Sequence, residues 1–326
     1  MADPASGVVR PDRSTQAAFV AAVLFGGANA IAIRQTVLEL PPLWSMAGRF
    51  LAAGVILAGL AVVLRRPFPR GRSFTGAVIY GAVGFAASFG PISTGLRDVP
   101  GGTGSVLIAI TPLLTFGLAI AHRQEQFRLQ GLVGALVALA GVGLVFADQL
   151  GAAIPLGSLA LVLLGTVAIA ESAVLLKAIP RSDPFATNAV AMLTGGASLL
   201  VVSFVLGEPH ALPQRGQTWA ALGYLVIFGS VVLFALFVQV LRRWTASSAS
   251  YATLLFPFVG VTVATLLTGE TFDWSFFVGG VVMLIGVYIG AFAARPHRSS
   301  ATSAPECLPI DNCAEPAAPE AVPSRA

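Results

Sequence analysis

Residues 105–142, SVLIAITPLLTFGLAIAHRQEQFRLQGLVGALVALAGV, return as residues 250–287, SYATLLFPFVGVTVATLLTGETFDWSFFVGGVVMLIGV, at a fixed offset of 145. The register reaches back to residue 84 and pairs Gly84 with Gly229, Phe89 with Phe234, Arg97 with Arg242, Pro112 with Pro257, Glu125 with Glu270 and Gly141 with Gly286. An offset of 143 aligns Pro41 with Pro184 and Arg34 with Lys177. Neither copy alternates apolar and polar residues as a half-buried strand does. Their apolar runs are long enough to cross a bilayer, since about 20 residues of helix span the ~30 Å hydrocarbon core. Only a helix or a closed barrel satisfies its own backbone hydrogen bonds there.

The same pattern fills the chain outside the repeat. Of 326 residues, 56% are hydrophobic and 10% charged, and the mean hydropathy is +0.83. A soluble domain usually carries about 25% charged residues, so a soluble enzyme is excluded. Ten spans follow: Gln16–Gln35, Leu43–Leu64, Phe74–Gly95, Gly102–Ala121, Gln130–Ala147, Gly157–Leu176, Phe185–Leu206, Thr218–Val240, Ala246–Thr268 and Trp274–Ala294. An N-terminus inside places fourteen Lys and Arg on the cytoplasmic side, from Arg10 and Arg13 to Arg295 and Arg298, against Arg97 and Arg215 outside. That asymmetry fixes the orientation, with both termini cytoplasmic. The net charge of +4 is thereby read as topology, not as a nucleic-acid surface. Ala28-Asn29-Ala30 has the form of a signal-peptide cleavage site, but cleavage would leave nine helices and invert every later charge preference.

The expected fold is therefore all-α and integral to the membrane, with ten helices in two five-helix repeats. Because five is odd, the second repeat enters the membrane upside down. The division is a disordered leader 1–15, a first repeat 16–147, a second repeat 157–294 and a disordered tail 295–326. Cys307 and Cys313 lie in that Pro/Ala-rich tail without His partners, which indicates neither a disulfide scaffold nor a zinc site.

Phe25-Gly26-Gly27-Ala28-Asn29 followed by Arg34, Leu40-Pro41-Pro42-Leu43, Gly48-Arg49-Phe50, and the Pro257 to Gly269-Glu270 pattern resemble the EamA-like branch of the drug/metabolite transporter superfamily. The resemblance covers about residues 16–294. It implies two inverted five-helix repeats around a central cavity, in a carrier that usually exports amino acids, other small metabolites or toxic compounds. Phe25 stands where family members often have Trp, and Glu171 is outside the common pattern; both bear on what the cavity accepts.

An ionisable group in hydrocarbon costs about 2.5–3.5 kcal/mol on insertion scales, so each one calls for a partner, water or a function. Glu171 is the only carboxylate deep inside a span, roughly 21 Å from the outer edge at 1.5 Å per residue. It is expected either to bind a cationic group or a coupling proton, or to stay neutral and hydrogen-bonded within the helices. Asn29 lies roughly 20 Å from the inner edge, and the 143 offset pairs it with Ser172. Asn29, Ser172, Glu171 and Arg49 are thus the substrate or proton-binding candidates. Arg49 sits about 9 Å below the outer surface, where it can snorkel, line the cavity or brace helices. Arg34 and Lys177, at span ends, are expected to snorkel; Glu39 is the nearer acid for Arg34.

Tyr80, Tyr224 and Tyr251 are cavity-lining candidates, although tyrosine near span ends often serves as an interfacial anchor. Pro112 and Pro257 occupy matching places in the fourth and ninth spans and are hinge candidates, since an internal proline removes a backbone bond and kinks the helix. Gly286 and Gly290, four apart, suit close helix contact, within the chain or in a dimer. Gly101-Gly102-Thr103-Gly104-Ser105 lacks the GK[ST] ending and the preceding strand of a phosphate loop, so it reads as a turn. No hydrolase or protease motif is present. The expected protein is a multi-pass plasma-membrane carrier, monomer or homodimer, with a small-molecule substrate, lipid around it, no nucleic acid and no cofactor. An importer or organic-solute exchanger is the alternative, and a membrane-embedded enzyme or scaffold a third.

Overall fold

The computed structural model describes residues 13–99, 101–145, 154–180, 182–268 and 274–292, and every regular element among them is helical. The first twelve residues, Glu270 and the tail with Cys307 and Cys313 lie outside the described residues. The first half contains α1 (Arg13–Gly27), α2 (Asn29–Val37), α3 (Pro42–Val63), α4 (Arg72–Gly81), a π-helical segment Ala82–Ala87, α5 (Ser88–Gly95), α6 (Gly101–Ile108), α7 (Thr111–Ala121) and α8 (Leu129–Val145). The second contains α9 (Leu156–Ala178), α10 (Pro184–Val205), α11 (Gly216–Val226), a π-helical segment Ile227–Val232, α12 (Leu233–Arg243), α13 (Ala246–Ser250), α14 (Ala252–Thr268), α15 (Trp274–Val287) and a last π-helical turn Tyr288–Phe292.

Among the described residues, six helical stretches are long and apolar enough to cross a membrane: Arg13–Val37, Pro42–Val63, Arg72–Gly95, Leu156–Ala178, Pro184–Val205 and Gly216–Arg243. Three shorter apolar ones, Val106–Ala121, Leu129–Val145 and Trp274–Gly290, accompany them. Large apolar side chains such as Val63, Leu156, Val205 and Trp274 cover much of the outer surface, as lipid-facing positions require and water-facing ones do not.

Small residues set the helix contacts. A Cβ on Gly286 would stand 2.2 Å from the Ala138 amide nitrogen, and one on Gly134 2.4 Å from the Gly290 nitrogen. α8 and α15 therefore touch backbone to backbone, the close approach that small residues allow between membrane helices. Gly286 and Gly290 are thus engaged inside the chain. α3 runs along α10, α1 packs on α12 and α14, and α9 packs on α5 and α7.

The α3 and α10 pair is tied at both ends. Glu208, after α10, accepts from the α3 amides of Leu43 (3.3 Å) and Trp44 (2.9 Å). Arg66, after α3, lies 3.8 Å from Asp183. Asp183 in turn caps α10 by accepting from the amides of Phe185 and Ala186, as an N-cap carboxylate does.

Three spans are broken where continuous helices were expected, among them the ninth, which turns at Tyr251 between α13 and α14. The first divides at Ala28, after Gly26 and Gly27 press against Phe256 and Val259 of α14. The fourth divides before Thr111, so that Pro112 stands in the first turn of α7, where a proline loses no helix bond. Pro257, its partner by offset, does lie inside α14.

Candidate functional site

A cavity of about 1040 Å³ of empty space, the open solvent at its mouth included, lies between the helices. Its wall comes from α1, α2, α4, α5, α6 and the first π-helical segment in the first half, and from α9, α12 and α14 in the second. Among the described residues, only Asn29, Tyr80, Ser172 and Thr253 bring polar side chains to it, and no charged residue lines it. The remainder is apolar, with Phe89, Phe234, Phe237 and Phe256 the largest contributors.

Three of those polar groups have partners within the protein. Ser172 donates to the Ile169 carbonyl at 2.7 Å and Thr253 to that of Ser250 at 2.7 Å. Asn29 Nδ2 donates to the Gly229 carbonyl at 3.3 Å. The Tyr80 hydroxyl makes no hydrogen bond among the described residues, so it remains available to a solute.

Gly229 permits this arrangement. A Cβ there would lie 2.1 Å from Asn29 Oδ1, so any other residue would expel the asparagine. In the first half, Gly84 stands opposite Ser172, whose Cβ would be 3.0 Å from an added methyl. Both glycines lie in π-helical segments, and these start and stop at positions 145 residues apart, Ala82–Ala87 and Ile227–Val232. Single-turn π-helical insertions within α-helices occur frequently at functional sites.

Arg49 stands one side chain behind the wall. It is fully buried; its Nε donates to Ser230 Oγ at 2.8 Å and its Nη2 to the Gly229 carbonyl at 2.8 Å and Asn29 Oδ1 at 3.4 Å. The guanidinium carbon also lies 4.9 Å from the Phe50 ring centre and 5.3 Å from that of Phe89, within the range of cation–π attraction. The side chain thus braces helices from the two halves and does not snorkel.

Glu171 is placed differently from Ser172, its neighbour. It continues the exposed stripe of Leu164 and Val167 on α9, one helical turn apart at each step, and is outside the cavity lining. Its Oε1 lies 3.3 Å from His122 Nε2, at the end of α7. His122 Nδ1 is 3.0 Å from the Leu118 carbonyl; a carbonyl only accepts, so Nδ1 carries a proton. The Nε2 to Oε1 contact is an ion pair when the imidazole is protonated. Nothing in the sequence points to His122 beyond its being one of three histidines.

Of the other candidates, Tyr224 donates its hydroxyl to the Phe25 carbonyl and Tyr251 to that of Gly131, each at 2.8 Å. Both are outside the cavity lining, as is Pro112, whereas Pro257 lines it. Lys177 holds the Leu241 and Trp244 carbonyls. Arg34 reaches the Val99 carbonyl at 3.5 Å. Glu39 accepts instead from Thr218 Oγ1 and from the amides of Gln214 (2.6 Å) and Arg215 (3.1 Å). Those donors, Thr218 foremost, hold its carboxyl below the ordinary value of 4.5.

The profile of the EamA-like transporter family matches twice, over residues 14–147 and 156–291. The chain belongs to the EamA-like transporter family. Among EamA-like relatives, an uncharacterized inner membrane transporter of Escherichia coli, YedA, is 28% identical over 288 residues, covering 86% of this chain and 92% of its own. A probable amino-acid metabolite efflux pump of Salmonella typhimurium is 24% identical over 292 residues, with 86% and 96% covered. A crystal structure at 19% identity superposes with a TM-score of 0.73 over 89% of this chain and all of its own, a likeness of fold. The EamA-like chain described here is accordingly a multi-pass membrane transporter.

Proposed function

We propose that this protein is a secondary transporter that exports small amphipathic or amino-acid-like compounds across the plasma membrane by alternating access. Ten spans in two inverted five-helix repeats, with both termini cytoplasmic, form the framework. The observation that carries this is the cavity, to which both halves contribute wall residues and which is apolar apart from four hydroxyl or amide groups. Such a site buries an apolar solute and orients it with few polar contacts. The paired π-helical segments, the matched packing of α1 on α12 and α9 on α5, and the double family match support the repeat. The inner-membrane and efflux descriptions of the two relatives support the location and direction. No nucleotide-binding motif is present in the sequence, so a gradient drives the cycle. His122 and Glu171 hold the coupling proton, linking α7 of one half to α9 of the other.

The test is reconstitution in liposomes with an imposed pH gradient and a screen of amino acids and amphipathic compounds. Flux that follows the gradient supports the proposal; a protein that moves no solute under any gradient or in counterflow overturns it.

A further inference from the structure

Arg49 is a buried cation without a counter-ion. No carboxylate oxygen lies within ion-pair distance of it among the described residues, and its Nη1 has only the Met46 sulfur, at 4.0 Å. Its remaining contacts are neutral acceptors and two aromatic faces. A buried charge without an opposite partner is expensive, and carbonyl, hydroxyl and amide oxygens compensate it only partly. Two of its neighbours, Asn29 and Phe89, are wall residues of the cavity. Of its hydrogen bonds to oxygen, the one to Asn29 is the longest, and Asn29 opens α2 immediately after the break at Ala28.

We propose that Arg49 is the receptor for an anionic group on the transported solute, so that the substrates are amphipathic organic acids. The apolar body fills the phenylalanine-lined cavity, and the carboxylate replaces Asn29 on the guanidinium when α2 shifts against α1. Among the described residues the cavity holds no acidic side chain to pair with an ammonium group, so a free amine adds nothing to recognition. This rests on the transporter reading and narrows it to one charge class.

Four compounds with the same side chain separate the charges: N-acetyl-L-leucinate (anion), L-leucine (zwitterion), N-acetyl-L-leucinamide (neutral) and L-leucinamide (cation). Binding is measured on the detergent-solubilised full-length protein by the ligand-dependent rise in its unfolding temperature. The anion is expected to bind about tenfold or more tightly than the neutral amide, the scale of a charge-assisted hydrogen bond. Arg49→Gln brings the anion-to-amide ratio to about one. Ser230→Ala, which removes an internal acceptor and leaves the charge in place, raises the ratio, and it serves if Arg49→Gln fails to fold. Equal binding of anion and amide by the wild type, binding of none of the four, or a ratio unmoved by Ser230→Ala and by a folded Arg49→Gln would overturn the proposal. Transport without anion preference leaves the transporter reading standing and sinks this one; anion preference without flux does the reverse.

Discussion

Gly84 and Gly229, 145 residues apart, lie at the same place in two π-helical segments, and each receives a polar side chain from the first span of the opposite half. Ser172 meets Gly84 and Asn29 meets Gly229. The relation is not symmetric in tightness. An added Cβ would be 2.1 Å from Asn29 at Gly229 but 3.0 Å from Ser172 at Gly84.

That difference ranks two substitutions. Gly229→Ala is expected to lower stability by about 1–3 kcal/mol, as overpacking a close-fitting site does, and Gly84→Ala by less. Thermal unfolding of the two variants in the same detergent checks the order; equal losses would contradict it.

Between α8 and α15 the obstruction is backbone, not side chain, and backbone cannot rotate away. Gly286→Ala is therefore expected to destabilise by about 1–3 kcal/mol or more, whereas Gly143→Ala, with open space around its added Cβ, should be nearly neutral. The unfolding midpoints of the two variants measure the contrast.

The carboxyl of Glu39 is held below its ordinary value of 4.5 by Thr218 and the Gln214 and Arg215 amides. A group with a depressed value in the folded state stabilises fully above its unfolded value, and that contribution is lost as the pH falls through the folded one. Acidification below the ordinary carboxylate range should thus loosen the contact between the segment before α3 and the start of α11. Glu39→Gln should flatten the acid limb of the unfolding temperature against pH; an unchanged limb would count against the contact.

Because the His122 to Glu171 contact is made by these two side chains alone, either partner's removal should abolish it. Glu171→Gln and His122→Ala are each expected to weaken the pH dependence of flux in proteoliposomes while the protein still reaches the membrane. A retained pH profile in both variants would remove the pair from coupling.

Much of this was legible in the sequence because the repeat is written in glycine, proline and arginine. The offset of 145 that pairs Gly84 with Gly229 also pairs the two π-helical segments, though nothing in their composition announces a π-helical turn. Depth along a helix could be counted, and facing could not be assumed: Glu171 and Ser172 share a depth, but Ser172 lines the cavity and Glu171 turns to His122. The bonds of Arg49 were beyond local reasoning, since Gly229 and Ser230 are about 180 residues away and meet it only through tertiary packing. His122 was overlooked because a lone histidine at a helix end has no spacing signature.

The crossed ties of α3 and α10 limit how the molecule can work. Glu208 grips the start of α3 from beyond the end of α10, and Arg66 reaches the start of α10 from beyond the end of α3. Sliding one rod past its neighbour would tear both fastenings together, so the two travel as a single stiff strut. In the proposed alternating-access cycle, the stroke that passes cargo through the protein comes from the segmented helices around that strut, which serves as their fulcrum.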